Sequence, residues 1–188
     1  MTRADLILVN LGTPNTPTEK DVRAFLAEFL GDPMVVEKPR WLWLPILHGI
    51  ILRRRPKVVA KAYAEIWAPD EVPGGSPLAV GTRALAKGAS AAAKDDLRVT
   101  YAYRYGSPNL ESRLQAIQAE SPGSDHPVTV LPLFAQQTAS STGTVHTLVR
   151  KLSEKHGLGP RLQSASIAPD DPGYIEALAH TVRDRIAD

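Results

Sequence analysis

Three stretches carry residue types that could do chemistry. In "QQTASSTG", residues 136–143, Thr138, Ser140, Ser141 and Thr142 crowd into five positions. At a strand-to-helix turn such hydroxyls, with the free N–H groups of the helix start, make a place for a carboxylate or phosphate. The same residue types are preferred as plain helix caps, and the sequence leaves both readings open. In "YRYG", Arg104 and Tyr105 read either as a carboxylate anchor beside a stacking ring or as an edge-of-core pair. The third stretch is "WLWLPILHGIILRRRP", residues 41–56, where two tryptophans and seven aliphatics run into Arg53, Arg54 and Arg55. Crossing a bilayer core takes about 20 apolar residues; this run is shorter and holds Pro45, His48 and Gly49. It reads as buried core, as an interface, or as an apolar wall for a large flat ligand.

The remaining polar residues point away from metal or nucleophile chemistry. His48, His126, His146, His156 and His180 show no ligand spacing such as H-E-x-x-H, and each reads as a surface or packing residue. Asp170-Asp171 reads as a helix cap and not as a carboxylate dyad. With no cysteine, thiolate sites, cysteine nucleophiles and disulfides are excluded, which fits a reducing compartment. A net charge of +2, with the basic residues gathered at Arg53, Arg54, Arg55, Lys57 and Lys61, argues against a general nucleic-acid binder. "MTRADLILVN" lacks a signal-peptide pattern, so the expected location is cytoplasmic.

These residues need elements to hold them. At 188 residues and 43% hydrophobic content the chain has the size of one core, and a single domain over 1–188 is expected. "DLILVN" (5–10) suits a strand buried on both faces. A helix start follows, with Thr16 as N-cap, Pro17 at the first helical position and Glu19 closing a capping box. Val22, Phe25, Leu26, Phe29 and Leu30 make its core stripe, and Gly31 with Asp32-Pro33 stops it. Helices are predicted over 56–67, 77–93, from Ser107-Pro108 to about 120, over 141–156, and after Asp171-Pro172 with Ile175, Leu178, Val182 and Ile186 on one face. Strands are predicted in "RVTYAYRYG", "VTVLPLF" and "LQSASIA", and "PDEVPGGSP" is read as a loop. Strands alternating with helices imply an α/β, three-layer fold: a four-stranded parallel sheet with helices on both faces. Ligands in such sheets bind beyond the carboxyl ends of the strands, here "NLGTPNTP", "YRYGSPN" and "PLFAQQTASSTGT".

Taken in order, "LVNLGTPNTPT", "FLAEFLGDPMVVEKPRWLWLPILHGIIL", "RRRPKVVAKAYAEIW", "GGSPL", "YAYRYGSPNL" and "LPLFAQQTASSTGTV" closely resemble the N-terminal half of ferrochelatase, the family that inserts ferrous iron into protoporphyrin IX at the end of haem synthesis. The resemblance implies a chelatase-like, flavodoxin-like half-domain. It also implies that residues 41–52 form an apolar lip over a porphyrin cleft, a segment that touches the bilayer in membrane-associated members. Trp41, Leu42, Trp43, Leu44 and Ile46 would supply the wall, with Arg53 and Arg54 near the propionates or lipid phosphates. Leu11 matches the position beneath the macrocycle, and Arg54, Tyr63, Ser76, Arg104, Tyr105 and Ser140 match positions lining the cleft. The serine-rich motif departs from the common bacterial form "PLYPQYSASTTGS": Phe134, Ala135, Gln137 and Thr138 replace a tyrosine, a proline, a second tyrosine and a serine.

The family's catalytic histidine and glutamate lie in motifs resembling "SxHGLP" and "DHxETL", and neither occurs in these residues. The expectation is therefore a porphyrin-cleft half without the catalytic pair, inactive alone, with no tightly bound cofactor, and with ferrous iron and protoporphyrin IX as substrates. Expected partners are the porphyrin, a separate C-terminal half or second copy, and a membrane surface met peripherally through residues 41–55, on its inner face. Two alternatives stand beside this reading: a non-catalytic porphyrin- or haem-binding module, and a homodimeric small chelatase.

Overall fold

The computed structural model describes residues 4–68, 75–121, 123, 125–134 and 136–187. Most of the loop expected over 69–77, and Ala135 of the serine-rich turn, lie outside them. Strands β1 (Ala4–Gly12), β2 (Leu97–Tyr105), β3 (Val128–Pro132) and β4 (Leu162–Ser164) form one sheet in the order β2-β1-β3-β4. Every pairing is parallel. The three-layer α/β expectation is met.

β1 lies inside the sheet, with Ile7, Leu8 and Val9 essentially inaccessible, which is why its sequence is a continuous apolar run and not an alternation. On one face, helices α5 (Leu110–Glu120) and α6 (Thr144–His156) join the strands in one core that includes Leu110, Leu114, Val145, Val149 and Leu152. On the other lies α4 (Pro77–Ala92), whose buried contacts are the small residues Ala79, Thr82 and Ala86. Small side chains let it approach β1 closely enough for Asn10 Nδ2 to donate to Thr82 Oγ1 at 2.9 Å.

A third packing unit leads to the lip. Helices α1 (Glu19–Gly31), α2 (Arg40–Ile46) and α3 (Leu52–Ile66) meet here; α1 buries Val22 and Phe25, α3 buries Leu52 and Ala60, and Leu47, just past α2, is buried with them. Between α2 and α3, residues Leu47–Ile51 form one wide π-type turn, so the backbone is helical without a break from residue 40 to 66. The predicted helix over 56–67 therefore begins sixteen residues earlier, and both Pro45 and Pro56 lie inside it. Leu52, where the wide turn ends, has ψ −6°, against about −42° in a regular helix. That rotation swings its carbonyl away from the Pro56 ring, which would otherwise meet it.

Other boundaries shift for identifiable reasons. The N-cap of α1 is Thr18 and not Thr16: its Oγ1 accepts from Asp21 N at 3.3 Å. The pattern of a hydroxyl followed three residues later by an acid occurs twice here, as Thr16/Glu19 and Thr18/Asp21. The second pair wins because Thr16 Oγ1 then also donates to the Asp21 carboxylate, at 2.8 Å. α5 starts at Leu110 with Asn109 as its cap and not at Ser107-Pro108, because the Pro108 carbonyl is occupied by Tyr103 N at 2.7 Å. α6 is preceded by a second wide turn, Ala139–Gly143. Helix α7 (Pro172–Ala187) has the expected apolar face, with Ile175, Leu178, Val182 and Ile186 all at least half exposed. No helix among the described residues is long and apolar enough to cross a membrane.

Candidate functional site

The carboxyl ends of β1 and β2 meet backbone to backbone. Gly12 has φ +108°, and a Cβ there would lie 1.8 Å from the Tyr105 carbonyl oxygen; one on Gly106, at φ +88°, would lie 2.7 Å from the Thr13 carbonyl oxygen. The glycines of "NLGTP" and "YRYG" are thus steric requirements of two strand ends pressed together. Leu11 sits half-buried at this junction, its N–H held by Asn10 Oδ1 at 2.8 Å.

Arg104 and Tyr105, at the end of β2, turn inward onto Asp32, which caps the end of α1. Arg104 Nη2 and the Tyr105 hydroxyl, the latter at 3.0 Å, both donate to Asp32 Oδ2, and Met34 N donates to Oδ1 at 2.8 Å. The Arg104 guanidinium lies 4.4 Å from the Tyr105 ring centre, and the Tyr105 ring meets Phe29 edge-on at 5.3 Å. Tyr105 is 1% exposed. Burial pushes its phenol up to about 12; Arg104 pulls against that shift and the bond to Asp32 adds to it. Of the two readings of this pair, the structure favours the edge-of-core one. Asp32 is the residue that sequence reasoning missed, since an acid before a proline reads only as a helix stop.

The lip is tied down beside this knot. Trp43 Nε1 donates to the Leu30 carbonyl at 2.7 Å, and Arg40 Nη1 donates to the Gly31 carbonyl. The two tryptophans therefore have different surroundings. Trp43 is half-buried against α1, whereas Trp41 is 79% exposed. Leu42, Ile46 and Ile50 are exposed with it, four residues apart along the helical path, and the exposed Arg53 and Arg54 follow. Leu44 is half-buried.

The other expected site residues are scattered. Ser76 is 2% exposed and caps α4, its Oγ accepting from Ala79 N at 3.3 Å. Tyr63 is half-buried on α3, edge-on to Trp67 at 6.3 Å. Ser140 is exposed in the wide turn before α6, its hydroxyl 3.3 Å from that of Thr138; Thr138 and Ser141 exchange capping bonds. Arg104, the lip and the serine-rich turn come near one another at the carboxyl side of the sheet, where Gly143 abuts Met34. Ser76 and Tyr63 are engaged elsewhere. Three buried polar atoms make no hydrogen bond among the described residues: Thr13 Oγ1, Arg104 Nε and Thr142 Oγ1. All three belong to this side of the sheet.

The histidines follow their own partners. His146 lies between the Ser164 and Ser166 hydroxyls, His156 contacts Glu111 at 3.0 Å, His180 contacts Asp184 at 2.9 Å, and His48 is exposed on the lip. Hydrogen bonds from Lys155 and His156 lower the Glu111 carboxyl below its usual range. Asp171 Oδ1 accepts from Tyr174 N at 2.9 Å, a cap's role. Among the described residues no group of three or more His, Asp or Glu side chains could hold a metal ion.

A sequence model of the ferrochelatase family matches residues 3–188. The ferrochelatase of Azoarcus sp. (strain BH72) is 44% identical over 184 residues, 97% of this chain and 49% of that protein. That of Nitrosomonas europaea is 43% identical over 183 residues, covering 95% and 48%, and that of Marinobacter nauticus 38% identical over 190 residues, covering 99% and 50%. The chain spans about half the length of the curated relatives it matches.

Proposed function

This chain belongs to the ferrochelatase family, and from that premise we propose that it supplies the porphyrin-binding wall for insertion of ferrous iron into protoporphyrin IX. The observation that carries the reading is the exposed stripe Trp41, Leu42, Ile46, Ile50 running into Arg53 and Arg54. A porphyrin is a flat apolar ring with carboxylates at one edge. Burying one face of it on the stripe gains hydrophobic free energy, and the arginines meet the carboxylates with charge-assisted hydrogen bonds. Leu11, at the end of β1, would lie beneath the ring. Arg104 and Tyr105 act in this reading by holding Asp32 and the root of the lip, and Trp43 by anchoring it. Ser140 in its exposed turn is the further polar contact.

Metalation also needs a proton acceptor for the pyrrole nitrogens and ligands that deliver iron. The motifs "SxHGLP" and "DHxETL" do not occur in this sequence, so the proposal is that the 188-residue chain binds porphyrin and turns it over little on its own. The test is a fluorescence titration of the chain with protoporphyrin IX, followed by ferrous iron. Saturable binding with emission retained after iron supports the reading; rapid loss of emission through metalation overturns the claim of inactivity, and no binding overturns the claim of a wall. A second reading draws on the same exposure: a helix with tryptophan and aliphatics on one side and arginines beside them suits the surface of an anionic membrane. Sedimentation with anionic and neutral vesicles separates the two, since porphyrin binding needs no lipid.

A further inference from the structure

Behind the exposed stripe, on the side of the lip that faces α1, lies a second apolar site of about 300 Å³, lined by Leu26, Leu30, Trp43, Ile51, Val59 and Arg55. The five apolar side chains are all half-buried, so none is fully covered by the fold. They come from α1, α2, the wide turn and α3, and the Trp43–Leu30 bond fixes the wall that the indole forms. Arg55 is exposed at the rim and makes no ion pair or side-chain hydrogen bond with any described residue. Residues 38–64 contain no aspartate or glutamate, and Glu28 on α1 is engaged by Gly106 N at 2.9 Å. Among the described residues that line it, this greasy groove has Arg55 as its cation and no acid, and is complementary to a single-chain anionic amphiphile.

We propose that this groove binds the alkyl chain of a free medium-chain carboxylate, with the carboxylate on Arg55. Two other occupants fit less well. A lipid tail within a bilayer is already in surroundings as apolar as leucine and gains nothing by moving into the groove, whereas a monomeric carboxylate leaves water and gains the full transfer free energy. A second copy of the chain would bring its own row of Arg53, Arg54, Arg55 and Lys57 against the first, placing like charges face to face. The site is independent of the porphyrin wall, which lies on the other side of the same helix.

The test is calorimetric titration of the full chain with hexanoate, octanoate, decanoate and dodecanoate below their micellar concentrations. Affinity should rise about fourfold per added methylene and level off once the groove is full. Arg55→Gln, at an exposed position that leaves folding untouched, should weaken decanoate about tenfold and leave neutral decanol unchanged. Decanoate brominated at its terminal carbon should quench Trp43: the quench should persist in Trp41→Phe and vanish in Trp43→Phe. Several results would overturn the proposal. They are affinity that climbs without levelling off, as in simple partitioning; no effect of Arg55→Gln; quenching that follows Trp41; binding only when decanoate is embedded in vesicles; or sedimentation showing a dimer that decanoate does not dissociate.

Discussion

Replacing Asp32 with asparagine tests whether the lip is held by a buried charge pair. The side chains of Arg104 and Asp32 are 16% and 8% exposed. Arg104 Nε already lacks a partner among the described residues. The introduced amide would keep an acceptor for Met34 N but would set an N–H₂ group or an uncharged oxygen against two donors, Arg104 and the Tyr105 hydroxyl. Breaking one partner of a buried pair costs about 3–5 kcal/mol, a large share of the roughly 5–15 kcal/mol that holds a domain together. The surface pair Arg23–Glu19, 43% and 47% exposed, is the internal control: Glu19→Gln should cost less than about 0.5 kcal/mol. Urea unfolding followed by far-ultraviolet circular dichroism reads both. The double variant Asp32→Asn/Arg104→Met should recover most of the loss, since it removes the stranded charge together with its partner. A cost for Asp32→Asn below about 1 kcal/mol, or a double variant as unstable as the sum of the singles, would refute the reasoning by showing that the pair behaves as a solvated one.

Three further outcomes are expected. Gly12→Ala should destabilise the chain by about 3 kcal/mol or more, because a Cβ at φ +108° would lie 1.8 Å from the Tyr105 carbonyl oxygen; a thermal melt within a few degrees of wild type would show that the strand ends can part cheaply. Trp41→Ser, at a 79% exposed position, should change stability by less than about 0.5 kcal/mol yet weaken porphyrin binding. Trp43→Ser should cost about 2–4 kcal/mol by losing its packing and its bond to Leu30, so equal effects of the two variants on unfolding would contradict their placement. Burial, with Tyr101 adding, pushes the Tyr103 phenol up to about 12, and Tyr105 likewise reaches about 12, against about 10 for the unfolded chain. Folding thus favours the protonated phenols, so their contribution is complete below pH 10 and is lost as pH rises from 10 to 12. Absorbance titrations near 295 nm of Tyr103→Phe and Tyr105→Phe should each lack a step near pH 12; a missing step near pH 10 would contradict the burial argument.

Most of the sheet was legible because its signals are local. "DLILVN" is apolar without alternation since both its faces are covered, and the alanine-rich 77–93 reads as a helix, observed at Pro77–Ala92. The lip was harder. Pro45 and Pro56 argue for breaks, and at Pro56 the displaced carbonyl of Leu52, at the end of the wide turn, lets the helix run on. β4 is three residues long against a predicted seven; nothing in "LQSASIA" says where pairing with β3 stops. At the strand ends, residue types gave no sign of which partners they would take. Arg104 and Tyr105 looked available for a ligand because Asp32, some seventy positions away in sequence, gives no sign of its role there. Ser76, matched to a cleft position by resemblance, spends its hydroxyl on the start of α4.

The consequence is a redistribution of roles along the carboxyl side of the sheet. The rule that ligands meet parallel sheets at their strand ends directs attention to "YRYG" and to the serine-rich turn, yet Arg104 and Tyr105 are consumed by Asp32, and Thr138 and Ser141 by each other. The apolar surface left open here among the described residues is the lip, which the proposed reading gives to a flat apolar ring, and its geometry accounts for the exposure. With its indole bonded to Leu30, Trp43 turns toward α1, which leaves Trp41, Leu42, Ile46 and Ile50 on the open side. The wide turn at Leu47–Ile51 is under-wound, so the step from Ile46 to Ile50 offsets the drift of about 40° that regular helix gives between Leu42 and Ile46. Deleting one residue within 47–51 should only restore a regular turn and leave the stripe facing nearly the same way, because the wide turn holds one residue more than a regular one. Deleting two should rotate Trp41, Leu42 and Ile46 relative to α3 by roughly 100° and abolish porphyrin binding while the sheet still folds. If binding survived the two-residue deletion, the stripe would not be the surface the porphyrin meets.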